Sequence, residues 1–197
     1  MKRLFDLTLS TIALILLAPL FGVAALFVKL TSRGPVLYRA ERVGQHGRRF
    51  ILYKFRSMYE QPKNGRLPVT RRGDPRVTPI GRFLRASKID EVPQLINVLI
   101  ADMSIVGPRP EDPHYVAMYS DAERELLSVR PGITSPASIA YRNEATLLDR
   151  DDWEQFYIDV VMPEKARIDI DYMRRRSLVS DLGVIMRTLL SVGGGQR

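Results

Sequence analysis

The sequence predicts a helix-rich α/β protein: an apolar N-terminal membrane helix, then a small globule with a β-hairpin and amphipathic interfacial helices. Three observations predict it. Residues 7 to 28 include no charged side chain. Two β-rich segments, 36–43 and 48–56, flank the turn sequence Gly44-Gln45-His46-Gly47. Further on, apolar residues recur at helical spacing over 163–175 and 178–192. The chain of 197 residues suits one globule plus an anchor, divided here into residues 1–31 and 32–197.

The apolar run, roughly 22 residues, is long enough to cross about 30 Å of hydrocarbon as a straight helix. It is too long for the apolar part of a secretory signal, and no small-residue cleavage site follows it. Two features depart from an ordinary span. Pro19 lies inside the run, where proline removes a backbone hydrogen bond and bends a helix, and Gly22 loosens the same region. Both flanks are basic: Lys2 and Arg3 before, then Lys29, Arg33, Arg39 and Arg42 after. A single span carries its basic excess on one flank. A kinked span and a re-entrant hairpin that leaves by the face it entered are both compatible with this pattern.

Ser32-Arg33-Gly34-Pro35 ends the anchor. Residues 61–75 are rich in Pro, Gly and Arg and poor in apolar residues, so a mobile basic loop is expected. Thr78-Pro79 starts a short helix, with a hydroxyl cap before a proline at the first helical position. Ile80, Phe83 and Leu84 form its apolar face. A second helix is expected from Asp90 through Leu95, Val98 and Leu99 towards Ala101, with Pro93 tolerated in the first turn. Gly107-Pro108-Arg109-Pro110 reads as a stiff extended segment.

The formal net charge of +8 favours anionic partners: phosphorylated substrates, an anionic membrane surface or nucleic acid. Aromatics make up 8% of the chain and do not alternate with the basic clusters, so no nucleic-acid platform is expected. Cysteine is absent, which removes disulfides, thiolate metal sites and cysteine nucleophiles. With two histidines, His46 and His114, any metal would rest on carboxylates. There is no Walker loop, GxGxxG, GxSxG or HExxH.

Asp90-Glu91 is the carboxylate pair of interest. At a helix start, unpaired N–H groups and a partial positive charge favour an ionised carboxylate, which can serve as nucleophile or Mg²⁺ ligand. An acidic N-cap with no chemical role has the same appearance. The surroundings are basic. Arg82, Arg85 and Lys88 lie just upstream, Lys54 and Arg56 end the second strand, and Arg109 is held between two prolines. Arginine on stiff backbone presents its fork in a fixed direction, as phosphate recognition requires. Arg71, Arg72 and the run Arg174-Arg175-Arg176 read as solvated surface charge.

The motifs Lys54-Phe55-Arg56-Ser57-Met58 and Asp74-Pro75-Arg76-Val77-Thr78-Pro79-Ile80-Gly81-Arg82-Phe83-Leu84-Arg85 resemble those of the bacterial sugar transferases, the small monotopic phosphoglycosyl transferases. The resemblance continues through Ile89-Asp90-Glu91-Val92-Pro93-Gln94-Leu95-Ile96-Asn97-Val98-Leu99, Gly107-Pro108-Arg109-Pro110 and Arg130-Pro131-Gly132-Ile133-Thr134. It covers nearly the whole chain, with the motifs in the family's order. It implies an α/β membrane-associated fold whose re-entrant helix stays on the cytoplasmic face of the inner membrane. It implies Asp90 as nucleophile of an Asp-Glu dyad, Mg²⁺ as cofactor, and Arg85 as a phosphate ligand. Lys54, Arg56 and Arg109 match motif positions near the active site.

The implied reaction moves a sugar 1-phosphate from a UDP-sugar to a polyprenyl (undecaprenyl) phosphate through a covalent Asp-phosphosugar. It would begin the assembly of a membrane glycoconjugate, on a bilayer with anionic headgroups. Two departures from the family pattern stand out. Ala18 takes the place of a serine before the kinking proline, and Ser135-Pro136-Ala137-Ser138 replaces Gly-Trp-Ala-Gln. The second bears on the sugar rather than on the phosphate chemistry. The long multi-span region that precedes these motifs in larger members is not expected here. Two other classes fit parts of the pattern: a membrane-tethered anion-binding module, and a Mg²⁺-dependent phosphohydrolase with water as acceptor.

Overall fold

The computed structural model describes residues 1–59 and 73–193. Helix α1 (Lys2–Thr31) is one continuous helix with Pro19 inside it. Its middle is exposed at Ile12, Ile15, Leu16, Val23 and Leu26. Only 11% of its most apolar window is buried within the protein, and it is long and apolar enough to cross a membrane.

Both ends of α1 rest on the same globule. At the first end Arg3 donates to the carbonyls of Val98 (2.6 Å) and Leu99 (2.9 Å). Buried Asp6 accepts from the Ser104 hydroxyl at 2.9 Å and the Ile105 amide at 3.3 Å. Lys2 pairs with Asp181 at 2.7 Å. At the far end Ala24 and Val28 are buried with Phe55 and Leu84, and the Phe21 and Phe55 rings lie 4.6 Å apart.

The hairpin follows the expected boundaries closely. Strands β1 (Leu37–Val43) and β2 (Arg49–Phe55) pair antiparallel, with Tyr38 opposite Lys54 and Val43 opposite Arg49. A 3₁₀ turn, Gln45–Gly47, joins them. Most of the expected basic loop, residues 60–72, lies outside the described residues. Helix α2 (Pro79–Ala86) starts where the Thr78-Pro79 pair places it, and the Thr78 hydroxyl accepts from the Gly81 amide at 2.9 Å. Leu84 turns into the core, but Phe83, expected on the same apolar face, is 61% exposed.

The helix expected from Asp90 does not begin there. Ile89–Glu91 is a 3₁₀ turn, and α3 (Gln94–Leu99) starts only after Pro93. Pro93 has no N–H to return to the Ile89 carbonyl. The Val92 amide takes that carbonyl at 3.1 Å instead, and Glu91 bonds back to Lys88 in the same three-residue step.

A second, parallel pair follows: β3 (Ser104–Val106) beside β4 (Gly132–Thr134). Between and after them come α4 (Pro113–Val116), α5 (Pro136–Ala140), α6 (Glu144–Leu147) and α7 (Trp153–Phe156). A π-turn, Tyr157–Val161, leads into α8 (Met162–Arg175), and α9 (Leu178–Gly193) closes the described chain. These last two helices match the expected 163–175 and 178–192. On α9, Val184 and Asp181 turn inward while Val179, Leu182, Met186, Leu189 and Leu190 form an exposed apolar stripe. Three clusters of buried side chains make the core: one under the hairpin and β3, one at the far end of α1, and one around Tyr115, Trp153 and Tyr157.

Candidate active site

The site assembles where the end of β2, the 3₁₀ turn and the segment after β3 converge. Asn97 of α3 fixes the first two against each other. Fully buried, it accepts from the Tyr53 amide at 3.0 Å and donates to the Ile51 carbonyl at 2.7 Å, acting as a short extra strand beside β2. That contact sets the dyad against Lys54. Arg85 comes from α2, whose approach depends on Gly81: a Cβ there would lie 1.9 Å from the Ser57 carbonyl oxygen. Lys88, at φ 58°, makes the reversal that brings the dyad back beside α2.

Glu91 is clamped by two cations. Lys54 Nζ lies 3.0 Å from Oε1, while Arg109 donates to Oε1 at 2.8 Å and to Oε2 at 3.3 Å, close to a bidentate fork. Burial alone would push the Glu91 carboxyl up, but Arg109 and Lys54 together hold it well below the usual carboxylate range. Burial lowers the Lys54 ammonium, with Glu91 opposing, whereas Glu91 raises the Arg109 guanidinium further.

Asp90 has a different environment. It is 5% exposed, and its Oδ1 is buried with no hydrogen-bond partner. Burial raises its pKa, opposed by Lys54 and, more weakly, by Arg85 and Lys88. The expected helix start is corrected: Asp90 sits in a 3₁₀ turn, and burial raises its carboxyl above the usual range.

The structure therefore brings together Asp90, Glu91, Lys54 and Arg109, with Arg85 near enough to act on Asp90 electrostatically. It sends Arg56 elsewhere. That residue is 3% exposed, and its Nη2 donates to the Ser32 carbonyl at 2.7 Å and the Ser32 hydroxyl at 2.9 Å, tying β2 to the end of α1. The tie at the carbonyl end of α1 runs through Nη2 alone, and the Arg56 Nε and Nη1 are buried without a partner. Pro19 lies within α1, outside this cluster.

Among the described residues no three His, Cys, Asp or Glu side chains cluster as a metal cage. Mg²⁺ does not need one, since it commonly takes one or two carboxylates and completes its shell with water and phosphate oxygens. The unpartnered, buried Asp90 Oδ1 offers one carboxylate oxygen of the kind that demand needs.

The family model described as bacterial sugar transferase matches residues 1–195. The chain belongs to that family. It is 42% identical over 195 residues to the undecaprenyl-phosphate glucose phosphotransferase of Komagataeibacter xylinus, covering 95% of this chain and 35% of that protein. It is 37% identical to the UDP-glucose:undecaprenyl-phosphate glucose-1-phosphate transferase of Escherichia coli (strain K12), covering 96% of this chain and 39% of the relative. A UDP-N-acetylgalactosamine-undecaprenyl-phosphate N-acetylgalactosaminephosphotransferase from Aeromonas hydrophila is 35% identical, over 97% of this chain and 43% of its own length. The chain thus spans well under half the length of these three relatives.

Sequence reasoning missed several residues of this bacterial sugar transferase. Asn97 shares the buried face of α3 with Gln94, Leu95 and Val98, and a polar side chain on such a face signals a buried hydrogen-bonding role. Glu111, Glu144, Tyr157 and Lys165 form a second polar cluster near Arg109. Their one sequence signal is Lys165 sharing a helix face with Met162, Ala166, Asp169 and Ile170.

Proposed function

We propose that the chain transfers a sugar 1-phosphate from a UDP-sugar to undecaprenyl phosphate, giving undecaprenyl-diphosphate-sugar and UMP through a covalent intermediate on Asp90. The observation that carries this is the contrast within the dyad: Glu91 is paired with Lys54 and Arg109, while the buried Oδ1 of Asp90 has no hydrogen-bond partner. Relatives matched over nearly the whole chain are named for hexose phosphate transfer to undecaprenyl phosphate, which supports the substrate classes.

In the first step an Asp90 carboxylate oxygen bonds to the sugar-bearing phosphorus. The bond from that phosphorus to the bridging oxygen breaks, and UMP leaves with the electron pair. In the second, an oxygen of the lipid phosphate attacks the same phosphorus and the carboxylate departs unchanged. Arg85 and Lys88 oppose the negative charge that both steps bring to the site. Lys54 and Arg109 hold Glu91 in place. Asp90 and Glu91 are the carboxylates that would hold Mg²⁺, which would supply neutralisation of the diphosphate charge.

The acceptor is a lipid, so the site must lie at a bilayer. The exposed apolar middle of α1 and the stripe on α9 support membrane association. A re-entrant placement on the cytoplasmic face is supported by both ends of α1 resting on one globule. A transverse helix would carry one end to the far side of the bilayer, away from the globule that holds the other. Lys2, Lys29 and Arg33 then face anionic headgroups.

The deciding experiment gives the enzyme UDP-sugar and Mg²⁺ without lipid. A burst of UMP approaching one per active site is expected, with a sugar phosphate on the Asp90 peptide that hydroxylamine removes. Addition of undecaprenyl phosphate should then restore turnover. UMP released only when lipid is present, with an unmodified Asp90 peptide, would refute the covalent route. Continuous lipid-independent release would indicate a hydrolase, and binding without release an anion-binding module.

A further inference from the structure

Arg109 has a choice of partners. On one side lies Glu91, at 2.8 and 3.3 Å. Glu111 and Glu144 also attract its guanidinium. Glu111 is two residues along the same segment, and its backbone carbonyl is fixed by the Val43 amide at 3.1 Å. Left free, two carboxylates in a partly desolvated cleft would compete with Glu91 for this one cation.

Both competitors are already engaged. Lys165 reaches in from α8, with Nζ 2.9 Å from Glu144 Oε2 and 3.5 Å from Glu111 Oε1. The Tyr157 hydroxyl donates to Glu111 Oε1 at 2.7 Å. Lys165 is itself 8% exposed, lies 5.2 Å from the centre of the Tyr157 ring, and lines one cleft with Arg109 and Glu111. A lysine buried this deeply on a helix face must be held by its ion pairs, since an isolated buried ammonium is strongly disfavoured. Neither the phosphate chemistry nor the core requires a cation there.

We propose that Lys165 is a positioning residue: by engaging Glu111 and Glu144 together, it keeps both off Arg109, so that Arg109 remains on Glu91. Charges alternate outward from the reacting carboxylate, from the dyad to Arg109, to Glu111 and Glu144, and finally to Lys165. Without the outermost cation Glu144 loses its ion pair and Glu111 keeps only the Tyr157 hydroxyl, and Arg109 turns towards them. Glu91 is then held by Lys54 alone.

This inference rests on the proposed transferase reading, so the test separates the two. Turnover of the wild-type full chain with UDP-sugar, Mg²⁺ and undecaprenyl phosphate in nanodiscs tests the reading itself. Lys165→Met should lower kcat per folded enzyme by about ten- to a hundredfold, the cost of a misplaced catalytic group. Donor KM should move less than about threefold, because the chemistry and not uniform binding is impaired. Lys165→Arg, which keeps the cation, and the triple variant Lys165→Met/Glu111→Gln/Glu144→Gln, which removes the competitors, should both recover most of kcat. A merely structural lysine predicts a lower Tm with kcat per folded enzyme unchanged. That outcome, or a triple variant that folds without recovering, would overturn the proposal. A crystal structure of Lys165→Met gives a readout independent of activity: Arg109 should have left Glu91 for Glu111 or Glu144, and an Arg109 still on Glu91 refutes the inference even if wild-type turnover is absent.

Discussion

Neutralising the two dyad residues one at a time should separate stability from activity in opposite ways. In Glu91→Gln the shape is kept but the charge between Lys54 and Arg109 is lost. Those cations then face each other with side-chain exposures of 19% and 34%. Removing one member of a buried ion pair costs about 3–5 kcal/mol, and the partial exposure of Arg109 brings the expected loss to about 2–3 kcal/mol. For a chain of this size that corresponds to a fall in Tm of about 4–12 °C. Asp90→Asn is the contrast. The lost charge has no hydrogen-bonded partner at Oδ1, and burial already disfavours it, so Tm should hold or rise slightly. Transfer should be abolished in Asp90→Asn and severely impaired in Glu91→Gln. The assay is thermal unfolding of both variants in the same detergent or nanodisc, beside UMP release under the same conditions. Equal destabilisation by the two substitutions would refute the unequal environments on which the dyad's division of roles depends. Near-normal turnover in Asp90→Asn would refute the nucleophile.

Two further outcomes follow from other parts of the molecule. Burial raises Asp169 to about 6, against an accepted hydrogen bond from the Ala137 amide at 3.0 Å. The folded state therefore holds this proton more tightly than the unfolded one, and stability falls as pH rises from about 4 to about 6, by roughly 3 kcal/mol from this group. Asp169→Asn should gain on wild type by up to that amount between pH 4 and pH 7; parallel unfolding curves across the window would refute the assignment. For the anchor, a cysteine added at the N-terminus should resist a membrane-impermeant reagent in intact cells and react after lysis. Labelling in intact cells would place that end outside and exclude the re-entrant arrangement.

Elements decided by short-range pattern were legible. The hairpin followed from β-rich runs around a Gly-containing turn, α2 from Thr78-Pro79, and α8 and α9 from helical spacing. What escaped was decided by distant neighbours. Arg56 lies in the same motif as Lys54, yet the two part company: Lys54 turns to Glu91 and Arg56 to Ser32 at the end of α1. Nothing local distinguishes them, because their directions depend on which elements pack on either side of β2. The same holds for α1. Its length, charge flanks and proline were visible, but not that Asp6 would be buried against Ser104 and Ile105.

The largest consequence of a local detail lies in the dyad itself. Pro93, expected to be tolerated inside a helix, tightens the chain ahead of it into a 3₁₀ turn. In an α-helix successive side chains are about 100° apart, and in a 3₁₀ turn about 120°. Here the turn puts Glu91 in direct contact with Lys54 and Arg109, while Asp90 feels Lys54 and, more weakly, Arg85 and Lys88 without a hydrogen bond at Oδ1. A carboxylate with two cations bound to it is a poor nucleophile, because its lone pairs and charge are already committed. In the proposed mechanism its neighbour, desolvated and with Oδ1 unpartnered, reacts once the donor's own negative charge is balanced. The sequence pairs two acidic residues that look equivalent; the backbone between Lys88 and Pro93 gives one of them two cationic partners and leaves the other's Oδ1 unpartnered, the difference on which the proposed mechanism depends.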